Sequence, residues 1–257
     1  MNYRVLDSIR DFEDAFALEV AVWGLDPRDA VPVNMLRALQ HAGGAEIGAY
    51  NGDQIVGFTL GFPAKIESRM ILWSHMTGVH RDYQGKNIGF ELKRQQREWA
   101  LANGFDEIRW TFDPLQRGNA NFNIHRLGAT AENYLVDFYG AMVDEINQAN
   151  IPTDRVEGVW RLRDPRVVQL MNTTSSDAVS PDRPFLLRDG GLPETLPFDT
   201  TVPEYLVQIP SSLSRLPSSG ALLKWRMALR KTLAHAFAQG YAAVDFTSAN
   251  AYLLRHL

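Results

Sequence analysis

The sequence predicts an α/β (α+β) chain, in which strands and helices alternate around a mixed sheet and a smaller α+β region follows. Three observations carry this. Apolar residues recur with a period of two in some runs and at helical spacing in others, and the two kinds of run are interleaved from the N-terminus onward. Glycine-bearing turns separate them where helix exits and hairpins are needed. Finally, the composition shifts at Asp164-Pro165 and a polar run, Asn172 to Asp177, precedes a new set of apolar runs.

The elements follow in order. Arg4 to Leu6 suits a first strand, and Ile9 to Trp23, with Phe12, Phe16, Val20 and Trp23, a helix. A second helix from Val33 to His41 stops at Gly43-Gly44. Ala45 to Tyr50 and Ile55 to Phe62 flank Asn51-Gly52-Asp53-Gln54, a hairpin signal. Met70 to Val79 is a strand, Phe90 to Asn103 a helix, and Glu107 to Phe112 a strand. A short helix over Asn119 to Leu127 and strands at Asn133 to Tyr139 and Val156 to Leu162 complete a first domain, residues 1–164. A linker over 165–182 leads to an extension, 183–257, with strands at Phe185 to Arg188, Tyr205 to Ile209, Ala243 to Phe246 and Tyr252 to Leu254 and a helix from Leu222 to Gln239.

Composition narrows the function classes. The chain has 257 residues, 45% of them apolar, enough for one large core or for a domain with a companion. With 26 basic and 30 acidic residues the formal charge is -4, so nothing global recruits nucleic acid or an anionic membrane, and any anion site must be local. The absence of cysteine excludes disulfides, thiolate metal sites and an acyl-cysteine intermediate. No cluster suggests a metal. Without a signal-type apolar core at Met1 to Asp7, or a run of roughly 18 uncharged apolar residues, the expected location is the cytoplasm and no membrane partner is expected.

The most informative stretch is Thr77-Gly78-Val79-His80-Arg81-Asp82-Tyr83-Gln84-Gly85-Lys86-Asn87-Ile88-Gly89-Phe90, where a strand passes through a glycine-bearing turn directly into a helix. Free amides of a first helical turn, backed by the helix dipole, suit a pyrophosphate. Gly85 and Gly89 allow close approach, and Lys86 either adds a charge contact or is simply solvated. A nucleotide P-loop would need serine or threonine after its lysine, where Asn87 stands, and the dinucleotide fingerprint would need three glycines after the first strand of the fold.

From Met1 to Arg163 the order of elements, with Gln84-Gly85-Lys86-Asn87-Ile88-Gly89 after the fourth strand, resembles the GNAT superfamily of N-acyltransferases, whose pyrophosphate loop follows Gln/Arg-x-x-Gly-x-Gly/Ala. Asn87 replaces the inner glycine, and asparagine tolerates left-handed backbone angles better than most residues. Trp110 to Leu115, Asn119-Ala120, Phe122-Asn123 and Leu127 to Ala129 resemble a subgroup of predicted GNAT acyltransferases with C-terminal extensions, some associated with amino-acid N-acylation, including succinylation. The resemblance implies a mixed sheet splayed between its fourth and fifth strands, acetyl-CoA or another acyl-CoA as co-substrate, and direct acyl transfer to a primary amine on a small molecule. The extension would pack on the first domain or form a homodimer interface.

The resemblance also implies site residues. Thr77, Gly78 and Val79 would lie beside the pantetheine arm, with the Val79 amide facing the thioester oxyanion, and residues Gln84, Gly85, Lys86, Asn87, Ile88 and Gly89 would hold the pyrophosphate. Asn119 and Asn123, four apart on a helix, would hydrogen-bond pantetheine amides or tie that helix down. His75 shares a face with Thr77 under strict alternation and is the first candidate base, against the alternative of a structural histidine. Asp113 is the second, against an Asp-Pro strand end. The family's usual acid, a tyrosine, falls on Ile124, leaving His125, Tyr134 or water. Trp23, Trp73 and Trp110 suit core positions, and Lys224, Arg226, Arg230 and Lys231 a solvated helix face. The alternative function is a non-catalytic acyl-CoA-binding regulatory module.

Overall fold

The computed structural model describes residues 1–140, 151–173 and 182–257. They fall into two compact units, one of Met1–Trp110 and one beginning at Thr111 and ending at Leu257. The division lies inside the span 1–164 that the sequence suggests as one domain.

In the first unit, β1 (Asn2–Val5) leads into α1 (Ile9–Trp23), whose start is fixed by a capping box: Ser8 accepts from the Asp11 amide and Asp11 from the Ser8 amide. Asp11 also takes a bidentate contact from Arg4 and the Tyr50 hydroxyl, and the Arg4 guanidinium holds its carboxyl well below the usual range. After α2 (Val33–His41), β2 (Ala45–Asn51) and β3 (Gln54–Ile66) form the expected hairpin, its turn at Gly52-Asp53. β4 (Arg69–Val79) continues the antiparallel meander; a short turn of 3₁₀ helix at Arg81–Tyr83 and α3 (Ile88–Ala102) then return the chain to β5 (Glu107–Phe112), parallel to β4. The strand order is β1-β2-β3-β4-β5. α1 and α2 cover one sheet face, burying Phe12, Ala15, Leu18 and Leu36 against Phe58 and Leu60; α3 covers the other with Ile88 and Leu92.

Acids also lie in the apolar layer between α1, α2 and the sheet. Glu46 of β2 is opposite Leu60, 1% exposed, with neither carboxylate oxygen hydrogen-bonded among the described residues, and burial pushes it up to about 8.

The second unit carries the last residues of β5, then α4 (Arg117–Ala120), a π-helical turn at Asn121–Arg126, β6 (Thr130–Leu135), β7 (Arg155–Arg161) and α5 (Pro165–Met171), which occupies part of the expected linker. Asp164 caps α5 and Pro165 takes its first position. The rest of the polar run, Thr174 to Asp177, lies outside the described residues. β8 (Phe185–Asp189), β9 (Pro193–Thr195), β10 (Glu204–Gln208), α6 (Ser219–Ala238), β11 (Tyr241–Phe246) and β12 (Ala251–His256) follow. The order is β7-β6-β11-β12-β10-β8-β9, with Ala243 of β11 paired to Ala131 of β6, so the C-terminal strands extend the β6–β7 sheet across the expected boundary at 164. The strand expected to reach Tyr139 stops at Leu135, because Asp137, at φ 47°, turns the chain and accepts from the Thr153 amide.

The basic cluster on α6 is not the solvated face its spacing suggests. Lys224 and Lys231 are exposed, but Arg226 is buried and forms a bidentate pair with Asp113 at 2.7 Å through both contacts, while Arg230 grips the fully buried Asp154 at 2.8 and 2.6 Å. The apolar positions Trp225, Leu229 and Leu233 draw these arginines inward, and carboxylates meet them.

Glu46 gives a pH signature. Because its folded-state pKa is raised, the folded chain keeps a proton that the unfolded chain releases above about 4.5, so its effect on stability worsens as pH rises through about 8. The unfolding free energy of wild type minus that of Glu46→Gln is expected to fall by roughly 2–4 kcal/mol between pH 5 and pH 8, measured by denaturant melts at each pH; a pH-independent difference would contradict a protonated Glu46.

Candidate functional site

The site is built on the C-terminal half of β4. Leu60 of β3 pairs with Met76, but Gly61 pairs with Ser74, so His75 is an extra residue with no counterpart. This bulge breaks the alternation that would put His75 and Thr77 on one face. Ser74 and Thr77 both reach the α3 side, where Ser74 accepts from Lys93 and Thr77 meets Thr59. His75 turns to the opposite side, its ring 6.2 Å from that of Phe62. It is exposed, yet crowding by protein atoms lowers its pKa below the ordinary histidine value and favours the neutral imidazole.

Beyond the bulge β4 has no second strand partner among the described residues. The parallel ladder between β4 and β5 is confined to Leu72↔Ile108 and Trp73↔Arg109, which splays the two strands past that point. On the β3 side, His80 donates to the Val56 carbonyl at 2.9 Å, so Val79↔Gly57 is the non-hydrogen-bonded kind of pair. The Val79 N–H and C=O, and two residues earlier those of Thr77, therefore point away from β3. The Val79 carbonyl is taken by the Gln84 side chain at 3.1 Å. Gly78 faces α1; a Cβ there would lie 2.8 Å from the Trp23 ring, so this glycine is required by packing within the unit.

The turn after β4 holds two left-handed residues. Gly85 sits at φ 74° and Asn87 at φ 62°, ψ 11°, both left-handed, and α3 starts at Ile88, two residues earlier than its periodicity suggests. Asn87 thus adopts a backbone conformation usual for glycine, as its small polar side chain permits. That side chain gives the helix no cap bond, leaving the Ile88 and Gly89 amides without a local side-chain acceptor. A Cβ on Gly89 would meet only Val79, at 3.8 Å, so its smallness keeps the mouth of the turn open rather than serving the core. Lys86 is spent on its own loop: Nζ donates to the Asp82 carbonyl at 2.9 Å and lies 4.7 Å above the Tyr83 ring.

The remaining predicted site residues lie in the second unit. Asp113 is 4% exposed, with both oxygens engaged by Arg226 and one also accepting from the Leu115 amide. Asn119 is exposed and Asn123, within the π-helical turn, is buried, so the two side chains have different surroundings. Ile124 is fully buried, His125 Nδ1 lies 2.9 Å from Asp245, and the Tyr134 hydroxyl donates to Asp154 at 2.8 Å.

Sequence reasoning missed a polar group beneath the bulge. Lys93 Nζ donates to Ser74 Oγ at 3.0 Å and to Gln96 Oε1 at 2.8 Å, and Gln96 Nε2 donates to Thr59 Oγ1 at 3.0 Å. Lys93 lies 4.2 Å from the centre of the Trp110 ring, and burial pushes its pKa down to about 7. A signal existed: Ile88, Leu92, Gln96 and Ala100 form one helical stripe, which places Gln96 in the core.

Residues 9–128 match the model of the Acetyltransferase (GNAT) family. Among solved structures, the chain is similar to an aminoglycoside 6'-acetyltransferase type Ii, with 15% identity over 63% of this chain and 97% of that one and a TM-score of 0.51. It is also similar to the ribosomal-protein-S18-alanine N-acetyltransferase from Escherichia coli, with 10% identity over 63% and 93% and a TM-score of 0.50. At these identities the structures establish the fold. No curated protein matches the sequence.

The left-handed Asn87 is testable without any ligand. Asn87→Gly is expected to keep the stability of wild type within about 0.5 kcal/mol, and Asn87→Val to lower it by about 1–2 kcal/mol, since a branched side chain resists this conformation; equal denaturant midpoints for the two variants would contradict the assignment.

Proposed function

We propose that this chain, whose residues 9–128 match the GNAT acetyltransferase family model, binds an acyl-CoA thioester along the outer edge of β4 and transfers its acyl group directly to the primary amine of a small molecule, an amino acid being the class the subgroup resemblance favours. The observation that carries the reading is the pair of left-handed residues, Gly85 and Asn87, between a strand edge that no described residue pairs and a helix start without a side-chain cap. In this reading the amides of Ile88 and Gly89 hold the pyrophosphate, and the outward-pointing backbone groups of Thr77 pair with the pantetheine arm.

The chemistry follows from the same edge. The neutral amine attacks the thioester carbonyl carbon, the oxyanion accepts from the Val79 N–H, and collapse breaks the C–S bond and releases the coenzyme A thiolate. His75 takes the proton that the acceptor's ammonium must lose. Its lowered pKa supports this part, because an imidazole that stays neutral at neutral pH is already a base. The thiolate needs no strong acid, its conjugate thiol being fairly acidic. Asp113, engaged by Arg226, has a structural part here rather than a catalytic one. Asn87 in the left-handed region also removes one of the two departures from the family pattern that favoured a non-catalytic module.

Calorimetric titration with acetyl-CoA, succinyl-CoA and free coenzyme A is expected to give micromolar binding of at least one thioester. With an amine that turns over in a thiol-release assay, His75→Ala is expected to lower kcat about 100-fold with thioester affinity within twofold of wild type. No binding by the folded protein would overturn the acyl-CoA reading, and unchanged kcat in the variant would remove His75 as the base.

A further inference from the structure

Ser74 and Thr77 are three apart on β4, and in an unbroken strand they would face opposite sides of the sheet. They face the same side because the inserted residue shifts the register between them. A single chain of hydrogen bonds closes on both. Ser74 Oγ accepts from Lys93 Nζ at 3.0 Å, Lys93 donates to Gln96 Oε1 at 2.8 Å, Gln96 Nε2 donates to Thr59 Oγ1 at 3.0 Å, and Thr59 Oγ1 lies 2.9 Å from Thr77 Oγ1. Thr59 also donates to the Met76 carbonyl, inside the bulge. Ser74, Lys93, Gln96 and Thr59 are each at most 3% exposed, and none of their side-chain polar atoms is left without a hydrogen-bond partner.

This chain of contacts is conditional on the register. If β4 ran without the extra residue, one of its two anchor points would turn away from α3, and Lys93 or Gln96 would be left buried with a donor or acceptor unmade, which disfavours that register. The relay therefore stabilises the bulged register against the regular one, and the bulge decides where His75 is aimed and which way the Val79 amide points. We infer that Lys93 and Gln96 of α3 are positioning residues that lock the β4 bulge through Ser74 and Thr77, and thereby set the geometry of the base and oxyanion donor without touching either. The catalytic consequence rests on the acyltransfer reading above; the structural one does not.

The test uses the full chain. Ser74→Ala removes one anchor with little change in volume, Lys93→Met removes the hub, and Ser74→Thr restores a hydroxyl. Hydrogen exchange at the β3-bonded amides of Met76 and Gly78 is expected to be about tenfold faster in Ser74→Ala and in Lys93→Met, no faster again in the double variant, and at the wild-type rate in Ser74→Thr. In thiol-release assays kcat is expected to fall about tenfold in Ser74→Ala with acetyl-CoA affinity within twofold of wild type. Exchange unchanged in Ser74→Ala would overturn the inference even if Lys93→Met does not fold, and so would effects of the two substitutions that multiply in the double variant. Faster exchange in a protein that turns over no thioester would sink the acyltransfer reading and leave the lock standing. Faster exchange with unchanged kcat would overturn the catalytic consequence.

Discussion

The extra residue in β4 is the constraint on which the site depends. A strand that pairs regularly with β3 would present the same face pattern along its whole length; the insertion at His75 divides it into two registers. At Leu72 and Trp73 the strand is paired on both sides. From Ser74 onward it keeps β3 but loses β5, and the amides of Thr77 and Val79 face the open side. The left-handed turn and α3 then follow within ten residues, so an edge that can pair with an extended ligand and a helix start that can hold an anion lie along one continuous piece of chain.

Buried polar groups set geometry in both units, by different means. In the first, Lys93 and Gln96 enter a helix face that propensity would fill with apolar residues, and hydroxyls from β3 and β4 meet them. In the second, Arg226 and Arg230 of α6 each find a buried carboxylate. Such pairs add little net stability compared with a well-packed apolar core, but breaking one partner leaves an uncompensated group and is costly, so they favour one arrangement over its neighbours. Glu46 is the contrasting case, a carboxylic acid tolerated in the core because burial keeps it neutral.

Much of this was legible in the residues. The hairpin at Asn51-Gly52, the helices at Ile9 to Trp23 and Val33 to His41, and the strand-turn-helix passage from Thr77 to Phe90 follow from local chemistry, and the structure places them there. The left-handed angle of Asn87 was legible too, because asparagine was the residue that could replace glycine at that point. What was not legible was non-local. A period-two pattern carries no mark of an inserted residue, so His75 was assigned to the wrong face. The spacing of Arg226 and Arg230 is that of a solvated stripe unless Asp113 and Asp154, more than seventy residues away, are known to meet them. The spacing of Asn119 and Asn123 does not announce that one is exposed and the other buried within a π-helical turn.

The most direct test of the whole account is an amide-resolved NMR titration of the protein with acetyl-CoA. The account predicts that the largest shifts fall on Thr77, Val79, Gly85, Asn87, Ile88 and Gly89, with smaller changes elsewhere. Saturable binding whose largest shifts lie outside the segment from Thr77 to Gly89 would contradict it, because the thioester would then occupy a surface that the β4 bulge does not shape.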